Sequence, residues 1–132
     1  MHRQLISSGS PWELTVGYSR AVRVDERIFV AGTAPKLDDG SCAEDAGDQA
    51  RRCLEIIATA LDEAGSSFED VVRTRIYLVD AADFDAVGSA HGEVFGNIRP
   101  ANTTVVVKQL LDPRWKVEIE VEAIRSTDNS PR

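Results

Sequence analysis

The segment KVEIEVEAI places Val117, Ile119, Val121 and Ala123 on one side of an extended chain and Glu118, Glu120 and Glu122 on the other, because strand side chains alternate with period two. A helix, with its period of 3.6, cannot sort these residues into two clean faces. The chain must therefore build a sheet with one apolar and one acidic face. A second segment, VVRTRIYLV, repeats the device, opposing Val72, Thr74, Ile76 and Leu78 to Arg73, Arg75 and Tyr77. Acids and bases thus share the polar face of the sheet. Either they meet water, as on most one-sided antiparallel sheets, or sister subunits cover them, with Arg73 and Arg75 matched to Glu118, Glu120 or Glu122 within or across chains.

The apolar face needs a cover, and helical periodicity supplies it. Across residues 46–64 the positions Ala50, Leu54, Ile57, Ala58 and Leu61 recur at spacings of three and four, as one buried helix face requires. Gly65 is a natural stop. In residues 82–95, Phe84, Val87, His91 and Phe95 share a second face. Strands are expected at 18–24 and 27–31, joined by a turn at Asp25 and Glu26, then at 71–79, 102–108 and 115–124. Residues 4–7 form only a short segment ahead of a Ser/Gly/Pro loop that holds Trp12. The resulting order is ββαβαββ, an α+β sheet with both helices on one face.

A chain of 132 residues suits one domain with a real core, expected over residues 1–126 with a disordered tail at 127–132. Lys and Arg number 15 against 22 Asp and Glu, a net charge of −7, the wrong sign for neutralising phosphates. Nucleic acid is not an expected partner. The start, MHRQLISSGSPWE, lacks the apolar stretch of a signal peptide, and no apolar run approaches a membrane span. A cytoplasmic protein without membrane association is expected. Cys42 and Cys53 have neither C-x-x-C nor Cys/His ligand spacing, so they read as reduced bystanders and no metal is expected.

The segments GYSRAVRVDERIFVAGTAP, QARRCLEIIATALDEAGSSFEDVVRTRIYLVD, and RPANTTVVV followed by VEIEVEAI resemble, in that order, the Rid (YjgF) family. The resemblance covers nearly the whole chain. It implies a chorismate-mutase-like fold and a homotrimer, with sheets forming a central barrel, helices outside, and small-molecule clefts between subunits. Well-known members hydrolyse reactive 2-imino and enamino acids to 2-keto acids and ammonia, and no cofactor is implied. The labels endoribonuclease and L-PSP also attach to the family.

The resemblance carries residues over unevenly. Active deaminases of the family place an arginine after the proline of the RPA-like segment, where its guanidinium clamps the substrate carboxylate. Here that position is Asn102. Losing a charge-assisted pair of this kind costs about 1.5–3 kcal/mol. Tyr18 matches the family's N-terminal tyrosine, Gly32 and Thr33 stand in its Ser-Gly-Gln-like segment, and Glu120 matches the acidic residue near the attacking water. Gly88 occupies the place of an asparagine in the second helix, and Thr104 that of a cysteine or threonine near the clamp. Arg99, Arg114 and Lys116 are the candidate substitute cations, and backbone groups around Thr33, Ala101 and Thr104 the candidate polar contacts. Read from the residues alone, His91 is a partly buried structural histidine. Two readings stay open. The chain is an imine or enamine hydrolase with Glu120 handling water, for which carboxylate-free substrates suit Asn102; or it is a noncatalytic ligand-sensing or protein-binding trimer.

Overall fold

The computed structural model describes residues 1–127. Its regular elements are β1 (Arg3–Ile6), β2 (Ala21–Val24), β3 (Arg27–Thr33), α1 (Ala46–Glu63), β4 (Val71–Leu78), α2 (Phe84–Phe95), β5 (Ala101–Val106) and β6 (Val117–Ile124). The strands form one sheet in the order β1-β2-β3-β6-β4-β5. The expected α+β class holds, with one strand more than the ββαβαββ order. That strand is β1, paired antiparallel with β2 from Arg3↔Val24 to Ile6↔Ala21. Four residues are too few for alternation to declare itself in sequence. Most of the expected tail, residues 128–132, lies outside the described residues.

Local chemistry fixes the joints. Val24 and Arg27 pair directly, so only Asp25 and Glu26 make the turn, and Asp25 takes a φ of 53°, a left-handed conformation that aspartate tolerates better than most residues. Helix α1 starts where the Asp45 carboxylate accepts the Asp48 N–H at 2.9 Å. It ends in a Schellman arrangement, Ser66 N–H to the Leu61 carbonyl at 2.8 Å and Gly65 N–H to Asp62 at 2.9 Å, with Gly65 at a φ of +81° that lets the chain reverse.

Ala50, Cys53, Leu54, Ile57 and Leu61 of α1 and Val87, Ala90 and Phe95 of α2 are buried in one cluster with Ile28, Val30, Ile76, Leu78, Val117, Ile119 and Val121 of the strands. Burying each large aliphatic side chain here contributes about 1.5–3 kcal/mol, and Ile57→Ala would cost about 2–5 kcal/mol. Both helices therefore cover one sheet face. The other carries the charges: Arg73 stands opposite Glu122, Arg75 opposite Glu120 and Tyr77 opposite Glu118. Val72 departs from the expected pattern. A register shift between Val71 and Arg73 resets the pleat, as a bulge does, so Val71 is buried and Val72 is 45% exposed. The α2 crossover makes β5 parallel to β4, leaving β5 as an edge with Val105 and Val106 exposed.

Candidate functional site

The expected site residues fall into two groups on opposite faces of the sheet. On the charged face, the Tyr77 hydroxyl donates to Glu120 Oε1. Arg75 Nη1 lies 3.6 Å from Glu120 Oε2 and 3.5 Å from Glu122 Oε2. The Arg75 and Glu120 side chains are about one-third exposed, so the pairing orients Glu120 more than it stabilises the fold. Hydrogen bonding to Glu120 pushes the Tyr77 phenol above its ordinary value, with burial adding to the shift. Tyr77 thus stays a donor, and Glu120 is held by one neutral and one charged partner.

Glu120 lies at an open cavity of about 520 Å³, lined also by Arg3, Leu5, Glu13, Tyr18 and Phe29. Tyr18 follows the π-helical turn Glu13–Gly17 in extended conformation. That turn is anchored because buried Glu13 accepts from the Ser8 N–H at 3.0 Å and from its hydroxyl at 2.5 Å. Tyr18 and Glu120, predicted together, do share a cavity.

Beyond the β3 bulge between Val30 and Thr33, Gly32 faces Glu118. A Cβ on Gly32 would sit 2.7 Å from Glu118 Oε2, so only glycine lets this carboxyl come so close. Burial pushes Glu118 above its ordinary value, an effect partly offset by Arg20 and reinforced by Glu120. Arg20 Nη2 donates to the Gly32 carbonyl at 2.6 Å, and Arg20 Nε is buried with no hydrogen-bond partner among the described residues. Burial lowers the Arg20 value, against the fields of Tyr18, Glu13 and Glu118. Sequence reasoning did not single out Arg20 or Glu118 as site residues. The signal was present, since period two puts Tyr18 and Arg20 on one side of the extended chain entering β2. Thr33 is fully buried and its hydroxyl donates to the Ala31 carbonyl at 2.8 Å.

On the helix face, Asn102 Nδ2 donates to Thr74 Oγ1 at 3.0 Å, and Thr104 Oγ1 donates to Asn102 Oδ1 at 2.9 Å. Thr74 Oγ1 shares a further hydrogen bond of 2.9 Å with His91 Nε2. Burial pushes His91 below its ordinary value, favouring the neutral ring. His91 is partly buried, as expected, and takes part in a chain of bonds to Asn102 that the sequence reading did not include. A polar Thr74 at an inward-facing strand position was the sequence signal.

The other candidates stand apart. Arg99 is exposed at a turn with a φ of 59°, its N–H bonded to the Phe95 carbonyl at 2.8 Å. Ala101 is exposed beside Arg73 in the β4–β5 register. Arg114 is held by Asp112 at 2.8 Å and by the Gly40 carbonyl at 3.2 Å, and Lys116 by the Glu44 carbonyl at 2.6 Å. Both serve loop structure. Gly88 lies in α2, where an added Cβ would meet Phe84 at 3.8 Å. Cys53 is fully buried, and burial first, with the Glu118 field second, holds it as a thiol. Among the described residues no helix is long and apolar enough to cross a membrane.

Residues 11–125 match the family described as Endoribonuclease L-PSP. A crystal structure of a YjgF/YER057c/UK114 family member from Mycobacterium tuberculosis superposes with a TM-score of 0.86 at 43% identity, covering 93% of this chain and 99% of the other. A RutC family protein of Pyrococcus abyssi is 40% identical over 81% of this chain and 84% of its own. The 3-aminoacrylate deaminase RutC of Acinetobacter baylyi is 35% identical over 87% of this chain and 91% of its own. With a family match over most of its length, a sheet of the same fold and relatives that align nearly end to end, this chain belongs to the YjgF (Rid) family.

Proposed function

We propose that this protein is a homotrimer that hydrolyses small imines or enamines in clefts between its subunits, with Glu120 as the base that takes a proton from the attacking water. The observation that carries the reading is Glu120 itself, held by the Tyr77 hydroxyl and Arg75 at the edge of the cavity lined by Tyr18. A carboxylate so fixed needs only hydrogen-bond reach to water to act. The deaminase relative, named for 3-aminoacrylate, a carboxylated enamine, supports the reaction class. Asn102 marks a difference in substrate. Its amide already gives one N–H to Thr74 and accepts from Thr104, leaving one N–H and one lone pair for a neutral oxygen or nitrogen. Carboxylate-free imines therefore fit better than 2-imino acids. The net charge of −7 stands against ribonuclease chemistry on a polyanion.

A noncatalytic ligand-sensing trimer is the second reading, favoured by the same Asn102, which lacks the charge of a carboxylate clamp. Ammonia release from 2-aminoacrylate, 2-iminobutyrate and a neutral imine separates the readings, with Glu120→Ala and Asn102→Arg alongside. Turnover of the neutral imine that is lost in Glu120→Ala supports the hydrolase. Preference for the carboxylated substrates would refute the substrate assignment, and binding without turnover would establish the sensor.

A further inference from the structure

We propose that Glu118 is the proton donor of this site, a second carboxyl that gives a proton to the substrate nitrogen and is reset within each turnover. The inference rests on the hydrolase reading above and adds the acid that reading lacks.

Glu118 and Glu120 lie two positions apart on β6, on the same face, so their Cα atoms are about 7 Å apart along the strand. Their surroundings differ in kind. Glu120 has the Tyr77 hydroxyl and Arg75. Glu118 makes no ion pair among the described residues, although Tyr77 stands directly opposite it in the register. Tyr77 gives its hydroxyl to Glu120 instead.

Glu118 is pressed against the one backbone position on β3 that has no side chain. The 2.7 Å to a built Cβ on Gly32 means that any other residue would displace the carboxyl. Arg20 ties down that same glycine through its carbonyl at 2.6 Å. The groups facing Glu118 are Arg20 ahead of β2, Tyr77 on β4, Glu120 on its own strand and Cys53 on α1 behind it. Burial and the Glu120 charge favour the protonated form, and Arg20 opposes them. A carboxyl biased toward its protonated form, next to a second one paired with a guanidinium, is an arrangement in which an acid and a base coexist.

The chemistry closes. As the water oxygen bonds to the imine carbon, its proton passes to Glu120, the C=N π bond breaks, and the nitrogen takes the Glu118 proton, giving a neutral carbinolamine. In the second step the nitrogen takes the proton now on Glu120 and the C–N bond breaks. The hydroxyl proton passes to Glu118 as the carbonyl forms. Imine and water become carbonyl compound and ammonia, and both carboxyls regain their starting states.

The test is the pH profile of ammonia release from the neutral imine by wild type, Glu118→Gln, Glu118→Asp and Glu120→Gln, with folding of each verified by circular dichroism. General acid catalysis contributes about 10²–10⁴-fold. The expected results are a kcat loss of about 10²-fold or more in Glu118→Gln, disappearance of the decline in kcat at high pH that wild type shows, and partial rescue in Glu118→Asp. A folded Glu118→Gln with kcat within about threefold of wild type and an unchanged profile overturns the proposal. Absence of turnover in wild type overturns the hydrolase reading and this inference with it, an outcome distinct from activity that ignores Glu118.

Discussion

Thr74→Val removes the hydroxyl that joins Asn102 on β5 to His91 on α2 and changes almost nothing else, since valine has the same shape. Thr74 is fully buried, and its oxygen lies 3.0 Å from Asn102 Nδ2 and 2.9 Å from His91 Nε2. The two partners lose unequally. Asn102 sits on an exposed edge strand and regains a bond from water, whereas His91 is half-buried against Phe95, ring centroids 4.6 Å apart, and regains less. Leaving a buried polar atom unpaired costs about 1–3 kcal/mol, of which the extra buried methyl returns up to about 0.8 kcal/mol. The net loss therefore lies between about 0.2 and 3 kcal/mol, with its middle at about 1–2 kcal/mol. For a chain of 132 residues, an unfolding entropy of about 2.1 cal/mol/K per residue converts 1 kcal/mol into about 4 °C. Calorimetry at neutral pH is expected to show Tm falling by about 4–8 °C. Thr74→Val combined with Asn102→Ala should lose less than the sum of the single losses, because both remove the same bond. A Tm within about 1 °C of wild type, or strict additivity in the double variant, would refute the linked chain of bonds.

Because burial holds His91 below its ordinary value, the folded chain binds fewer protons than the unfolded one between the two values. Its stability should be complete above about pH 6.5 and fall as pH drops below it; thermal melts of His91→Gln should lose that slope, and an identical slope would sink the assignment. Glu118 runs the opposite way. Its folded value is raised, so its stabilising effect is complete below about pH 4.3 and is lost as pH rises through the folded value. Glu118→Gln should thus gain Tm relative to wild type at neutral pH and not at about pH 4, and an equal difference at both would exclude a raised Glu118. Finally, mixing unfolded Glu120→Ala and Asn102→Leu chains and refolding them together should restore turnover that neither variant shows alone, provided each cleft takes these residues from different subunits; no recovery in a reassembled mixture would contradict that division.

The fold was legible because its strongest signals are periodic. Alternation in β4 and β6 and the three-and-four spacing in α1 are repeated over enough residues to outweigh local noise. What escaped was short or depended on one residue. Strand β1 has four residues, and the bulge that buries Val71 in place of Val72 has no signature in VVRTRIYLV. The site divides in the same way. Glu120 and Tyr18 emerged from pattern and resemblance and do meet at one cavity. Arg20 and Glu118 were passed over because their significance comes from Gly32, a residue on another strand whose missing side chain admits Glu118 and whose carbonyl accepts from Arg20. Contacts of that kind are set by register across β3 and β6, which no single segment encodes.

The register also sets apart, on one chain, the residues of the proposed site. Asn102 pairs with Thr74, whose side chain faces the helices, while Glu120 pairs with Arg75, whose side chain faces away. The two candidate residues are therefore separated by the thickness of the sheet, and no small ligand on one chain touches both. Yet β5, which carries Asn102, is an edge strand with exposed Val105 and Val106, and the π-helical turn ahead of Tyr18 exposes Leu14 at 93% and Val16 at 67%. Apolar side chains so open to water beside both halves of the site favour burial against another surface. The exposed edge and turn support the proposed assembly, and the polar sheet face, with Arg75 already shared between Glu120 and Glu122, carries charges of both signs that a second copy would cover.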